Sequence, residues 1–443
     1  MKACPFTFLT ALWLSLAGSL SVAQPVVPKA MTPRLTRSVV DSIGRALQRY
    51  YVFPDKAERM SRHLQQQLQK GRYRNLTQAD LAEQLTRDLQ AVYLDGHLYI
   101  AHDPGLAQAL LKRNPRRRLT DDSLALLHAR EEYFGLRRVE ILDGNIGYLP
   151  IYSFTPFVES ARPAFSAALG FLASTRTLIL DLRSNGGGSP EMVGALGSYF
   201  FAQKTPFTTI YNRVRDSTTV YWADPNQVQN LTLTMPVYIL TSQTTFSAAE
   251  DFAYSMQQSK RALVIGDTTR GGAHPAGPFL LEQGFVIHLP FARSINPYSK
   301  TNWEGSGVIP DIPAKADRAL EKAQELILTQ VMEQAKEDRQ KRKLQWALDE
   351  LRAAQFAHLP TEPELKSYTG DYQGLIVYLL DGRLYCKNTG RGDQITQLKP
   401  IATDWFILNE QVHLEFLKSD GDHFSGLKLH WRDGREIPVD RSK

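Results

Sequence analysis

Three short apolar runs divide the middle of the chain: residues 177–182 (TLILDL), 237–240 (VYIL) and 262–266 (ALVIG). Runs without polar alternation read as strands buried on both faces. Helical patterns separate them, one over 191–201 and one opening at Ser247, where Ala249, Phe252, Ala253 and Met256 share a face. Strand, helix, strand, helix, strand in this order implies right-handed parallel crossovers, hence an α/β core. In such cores the functional loops gather at the carboxyl ends of the strands. Two loops stand there: 183–190 (RSNGGGSP) and 241–247 (TSQTTFS).

The flanking segments extend this plan. Residues 139–142 and 147–151 read as strands joined by Asp143-Gly144-Asn145, and 161–174 as a helix. After 262–266 come a glycine-bearing turn (267–275), a β segment (284–291) and a rigid loop (302–311). On the N-terminal side, Val39, Ile43 and Leu47, then Leu81, Leu85, Leu89 and Val92, recur at helical spacing, with a break at Phe53-Pro54-Asp55. This predicts a small helical domain. Residues 315–355 are helix-forming and predict an amphipathic connector with a solvated, charge-rich centre at 337–343. From Leu365 onward short alternating strands with turns at Asp381-Gly382, Ser419-Asp420-Gly421 and Asp433-Gly434 predict a small antiparallel β domain. Arg391-Gly392-Asp393 reads as a turn.

With 443 residues, 43% of them hydrophobic, the chain supports two or three domains with a large core. A net charge of +6, spread along the chain, gives no nucleic-acid signature, and the basic run 112–118 (KRNPRRR) reads as a solvated connector. Lys2, an uncharged apolar run over 6–20 and the small residues Ser21-Val22-Ala23 read as a signal peptide cleaved after Ala23. The run is short for a stable membrane span. Cys4 leaves with this segment, so Cys386 alone remains and no intrachain disulfide is expected. An exported chain without disulfides fits a bacterial periplasm or exterior.

Ser247 stands at a strand-to-helix junction. Two readings fit it: a helix N-cap, with Glu250 completing a capping box, or a nucleophile beside first-turn N–H groups that have no helical partner. Three consecutive glycines at 186–188 are not followed by Lys-Ser/Thr and lack dinucleotide spacing, which excludes a P-loop or Rossmann fingerprint. A tight turn, or a backbone N–H brought close to a reacting carbonyl, remains. His97, at the head of a strand after Asp95-Gly96, is either a structural residue or a base. The ten histidines are scattered and none lies in His-Glu-x-x-His, so no metal or other cofactor is expected.

Three stretches in fixed order resemble the tail-specific (C-terminal processing) serine protease family: Asp181-Leu182-Arg183-Ser184-Asn185-Gly186-Gly187-Gly188, Thr245-Phe246-Ser247-Ala248-Ala249-Glu250, and Gly305-Ser306-Gly307-Val308-Ile309-Pro310-Asp311. The resemblance covers roughly residues 90–315 and implies Ser247 as nucleophile, with Gly187 or Gly186 and Ala248 donating the oxyanion-hole N–H groups. Two departures mark a branch. Where the family's usual lysine base would lie, this chain has Gly272 in Thr269-Arg270-Gly271-Gly272-Ala273, and Arg270 cannot replace it because a guanidinium stays protonated. A PDZ-like insertion is not visible. Both resemble the branch of tricorn-type proteases and interphotoreceptor retinoid-binding protein, which implies His97 as base and Glu304 as its orienting acid, directly or through an intermediate residue or water. His274 is the rival base.

The expected architecture is therefore a ClpP/crotonase-like β/α core at 111–314, after a signal peptide (1–23) and a helical domain (24–110) and before a helical connector (315–358) and a β accessory domain (359–443). The expected activity is hydrolysis of peptide or unfolded-protein substrates. The alternative is a non-catalytic binder of small apolar ligands on the same scaffold.

Overall fold

A computed structural model describes residues 30–112, 123–229, 231–355, 360–419 and 424–442. The expected signal peptide, Cys4 and all of the basic run beyond Lys112 lie outside the described residues. Among the described residues no helix is long and apolar enough to cross a membrane.

The chain opens with helices α1 (Pro33–Tyr50), α2 (Pro54–Gln69) and α3 (Gln78–Val92). Proline stands at the first turn of α1 and α2, where no intrahelical N–H bond is lost. The Thr32 and Thr77 side chains cap α1 and α3 by accepting from Leu35 N and Asp80 N. Val39, Ile43 and Leu47 of α1 meet Leu81, Leu85 and Leu89 of α3 in one core. That core closes on a sheet of strand β1 (Tyr99–His102) and two strands from far along the chain, through Leu98, Ile100, Phe285, Ile287 and Leu289.

The central sheet begins with β2 (Glu140–Leu142) and β3 (Ile146–Pro150), an antiparallel pair. It continues in parallel through β4 (Thr177–Asp181) and, beyond it, the strands Val237–Thr241, Ala262–Gly266 and Ile312–Pro313. Its burial follows the period of two along each strand. Leu178, Leu180, Ile239 and Val264 face one core, while Ile179, Tyr238, Leu240 and Ile265 face another. The first core packs against helices Val158–Leu172, Pro190–Gly197 and Ala248–Gln258. The second is roofed by helices Ala319–Gln334 and Asp338–Gln355 through Ala323, Ile327, Leu344 and Leu348. The segment read as a connector thus covers the second sheet face, which is why these strands are apolar throughout.

An antiparallel hairpin, Thr205–Asn212 with Ser217–Ala223, joins Ala292–Ile295 in a separate three-stranded sheet. The sequence reading passed over this hairpin. Its strands are threonine-rich, and its turn contains no glycine; Asp216 takes the positive φ of 42° instead. The C-terminal part is antiparallel throughout, with four- and five-stranded sheets sharing a core of Tyr372, Phe406, Phe416 and Leu427. The molecule is thus mixed α/β: an N-terminal helical region, a mixed central sheet and C-terminal antiparallel sheets.

Candidate active site

The strand Val237–Thr241 ends at a polar turn that delivers Ser247 to the N-terminus of helix Ala248–Gln258. Ser247 has φ 55° and ψ −119°. A non-glycine residue there costs about 1–3 kcal/mol and persists only when its surroundings impose it. The surroundings are visible. Phe246 N donates to Asn185 O (3.1 Å), and Ser247 N donates to the Glu250 carboxylate (2.8 Å).

Glu250 is the hub of this turn. Fully buried, it also accepts from Thr269 Oγ1 (2.5 Å), Gly271 N (2.6 Å) and Gly272 N (2.9 Å). Burial raises its carboxyl pKa, opposed by these donors. The capping-box reading found the bond to Ser247 but not the clamp that ties the serine turn to the 269–272 turn.

The triple glycine packs directly on the serine. Gly187 has φ 106°, and a Cβ there would fall 2.9 Å from Ser247 Cβ and 2.8 Å from Phe246 O. Only glycine permits that approach. The N–H of Gly187 is donated to Asn185 Oδ1 (2.8 Å), and its carbonyl accepts from Phe154 N (2.9 Å). Gly188, which the sequence reading did not single out, lines a cavity of about 450 Å³ together with His97, Ser247 and Ala248. Among the described residues its N–H has no hydrogen-bond acceptor, so Gly188, like Ala248, is a cavity-lining residue with a backbone N–H to offer. Gly186 is open-sided and not part of the cavity wall.

His97 is half-buried on that wall, its ring 4.4 Å from the Phe246 ring. Its backbone is pinned: His97 N donates to Asp95 Oδ1 (3.1 Å), and His97 O accepts from His288 Nδ1 (3.1 Å). Burial lowers the His97 pKa to about 4, although the Asp95 charge opposes this. The imidazole is therefore neutral near pH 7. Among the described residues its buried Nδ1 has no hydrogen-bond partner. Gly272 explains the missing lysine. A Cβ at that position would lie 2.2 Å from Phe246 Cε2 and 2.8 Å from His97 Cε1, so the space of a lysine stem is taken by the histidine and its stacking ring.

Behind His97 lies a second polar cluster. Asp95, fully buried, accepts from Tyr51 Oη (2.9 Å) and from His274 Nδ1 (2.9 Å). Glu304 accepts from Ala273 N (2.6 Å) and approaches His274 Nδ1 at 3.3 Å, while among the described residues its Oε1 has no hydrogen-bond partner. Burial raises the Glu304 pKa to about 7, with the Asp95 charge adding to it and His274 opposing it. The structure thus brings His97, Ser247 and Ala248 to one cavity and places His274 and Glu304 together beneath it. His274 is 1% exposed and is not on the cavity wall. Asp95, His274 and Glu304 present ligand-type atoms within 4.8 Å of one another, but their hydrogen bonds already account for that convergence. Asp95 lay inside the quoted Asp95-Gly96-His97 segment; its role appears only when Tyr51 and His274 fold against it.

Residues 145–314 match the family model described as Peptidase family S41, and residues 26–122 match the N-terminal domain of Peptidase_S41 in eukaryotic IRBP. A carboxyl-terminal-processing peptidase 2 (chloroplastic) of Arabidopsis thaliana is 32% identical over 173 residues, 38% of this chain and 32% of that protein. A carboxy-terminal-processing protease of Bartonella bacilliformis is 28% identical over 177 residues, 39% of each chain. The chain thus spans about a third of the length of the curated relatives it matches. Among solved structures, the tricorn protease is similar at a TM-score of 0.43 and 14% identity, covering 68% of this chain and 37% of that one.

Proposed function

The chain belongs to the S41 family of serine-type peptidases and carries the N-terminal domain found in IRBP, and on that premise we propose that it is an exported serine endopeptidase. The proposal includes a ClpP/crotonase-like core, a signal peptide cleaved after Ala23 and a periplasmic or extracellular location. Substrates are peptides or unfolded segments, bound in the cavity of Ser247.

In this reading Ser247 Oγ attacks the scissile carbonyl while His97 accepts its proton. The tetrahedral oxyanion is held by N–H groups of Ala248 and of the 186–188 turn. His97 then protonates the leaving amine, and water hydrolyses the acyl-enzyme by the same route in reverse. Glu304 supports His97 through an intermediate group, with Asp95 holding the backbone of the histidine in place. One observation carries the reading: a neutral histidine and a strained serine, each from a different part of the chain, share one cavity wall with unspent backbone donors.

A peptide-library digest read by mass spectrometry, with wild type and Ser247→Ala, tests it. Cuts present in wild type and absent in the variant are expected; cuts that survive in Ser247→Ala refute the assignment. The apolar part of the wall, with Ile210, Phe291, Ala292 and Trp303, favours the alternative of an apolar-ligand binder. That alternative requires wild-type Ser247 to resist a fluorophosphonate.

A further inference from the structure

A second cavity adjoins the one that holds Ser247. Of about 610 Å³, it lies between the hairpin strand Ser217–Ala223 and the helices Val158–Leu172 and Pro190–Gly197. Tyr221, half-buried, lines both cavities. Pro190 walls the first, and its neighbour Glu191 walls the second. Tyr221 Oη donates to the exposed Glu191 carboxylate at 3.5 Å, so this pair marks the divide. A chain lying across Ser247 can therefore pass over the divide from one cavity into the other.

The second cavity offers apolar surface, because its charges are already engaged. Lys204 pairs with Asp224 (3.2 Å). Arg162 donates to Glu159 (2.6 Å) and to Gln227 O (2.8 Å). Glu191 accepts from Ser189 Oγ as well as from Tyr221. What is left to a ligand is Phe157, Val158, Ala195, Val220 and Trp222. Trp222 is 41% exposed, a large ring left open on the cavity wall. That wall is fixed in advance. A Cβ on Gly194 would fall 3.1 Å from Trp222 O and 3.3 Å from Tyr221 Cβ, so the glycine lets the hairpin seat directly on the helix. Aromatic surface held open in a preformed hollow supplies binding energy to an apolar side chain, and most to one that can stack.

We propose that this second cavity is an accessory substrate subsite that takes a large apolar side chain, best an aromatic one, from a peptide residue beyond those flanking the scissile bond. This rests on Ser247 as the nucleophile. A peptide-library digest by wild type should enrich Phe, Tyr, Trp or Leu at one fixed position beyond the flanking residues. Two peptides that differ only in phenylalanine or serine at that position then test the contact. Wild type should cleave the phenylalanine peptide with kcat/KM at least about tenfold higher, and Trp222→Ala should bring the ratio close to one. No enriched position in wild type, or a ratio that survives in Trp222→Ala, overturns the proposal. Calorimetric binding of both peptides to Ser247→Ala reads the same preference without cleavage and with the second cavity unchanged, and equal affinities there also overturn it. Cleavage that persists in Ser247→Ala would instead sink the peptidase assignment, so the two failures are distinct.

Discussion

Replacing Gly272 by alanine puts a methyl group where two rings already are. The added Cβ would sit 2.2 and 2.5 Å from Phe246 Cε2 and Cζ and 2.8 Å from His97 Cε1. Backbone strain does not enter, because Gly272 is not among the glycines with positive φ. Gly272 itself cannot retreat freely: its N–H is held by Glu250 (2.9 Å) and its carbonyl by Trp303 Nε1 (3.1 Å). The rings must therefore move. Phe246 is wedged between His97 and the Arg270 guanidinium, which lies 4.8 Å from its centroid, so displacement of Phe246 carries His97 with it. Overpacking of this kind costs about 1–3 kcal/mol of stability, and misplacing a catalytic group by about 1 Å costs on the order of 10²-fold in rate. Gly272→Ala should show both losses in denaturant melts and in kcat/KM. Adding Phe246→Ala vacates the clashing space, so the double variant should be less impaired than the two single effects combined. Wild-type stability and rate in Gly272→Ala, or strict additivity with Phe246→Ala, would refute the claim that this glycine exists to seat the histidine.

Other expectations follow from the same network. Glu250→Gln removes a charged acceptor of four hydrogen bonds and should cost about 3 kcal/mol or more in denaturant melts, with kcat falling as the Ser247 turn relaxes. If His97 is the base, the acid limb of kcat/KM should lie well below pH 6.5, because its folded pKa is about 4. The same shift makes the unfolded chain bind more protons between pH 4 and 6.5, so the His97 contribution weakens stability as pH falls through that window, by about 3 kcal/mol below pH 4. Glu304 acts in the opposite sense: with a folded pKa near 7, its contribution weakens stability as pH rises from 4.5 through 7. Comparing melts of His97→Gln and Glu304→Gln across pH separates the two slopes; identical profiles would contradict both assignments. Tyr51→Phe removes a donor to buried Asp95 and should cost about 1–3 kcal/mol, with a smaller loss of kcat than His97→Ala.

The parts of this molecule that were legible in the sequence are those whose signal is local. The apolar runs at 177–182, 237–240 and 262–266 became adjacent parallel strands because a strand buried on both faces has no polar alternation to confuse it. The helix beginning after Thr77 announced itself by its capping residue, whereas the prolines around Thr32 made 26–35 read as a loose leader and hid a helix that starts at Pro33, where proline is tolerated. The 205–223 hairpin did not, since threonine on both faces and a turn without glycine erase the usual marks. Ser247, His97 and the glycine turn were reached through motif resemblance. The Glu250 clamp and the Tyr51–Asp95–His274 cluster join residues far apart in sequence, and neither leaves a periodic trace.

Fluorophosphonate labelling of Ser247, with its rate followed by intact mass in wild type, His97→Ala and His274→Ala, tests the shared serine–histidine cavity most directly. Labelling at Ser247 in wild type, slowed at least about 10²-fold by His97→Ala and much less by His274→Ala, is the predicted outcome. Labelling that survives loss of His97 but disappears with His274, or an unreactive wild-type Ser247, would contradict it.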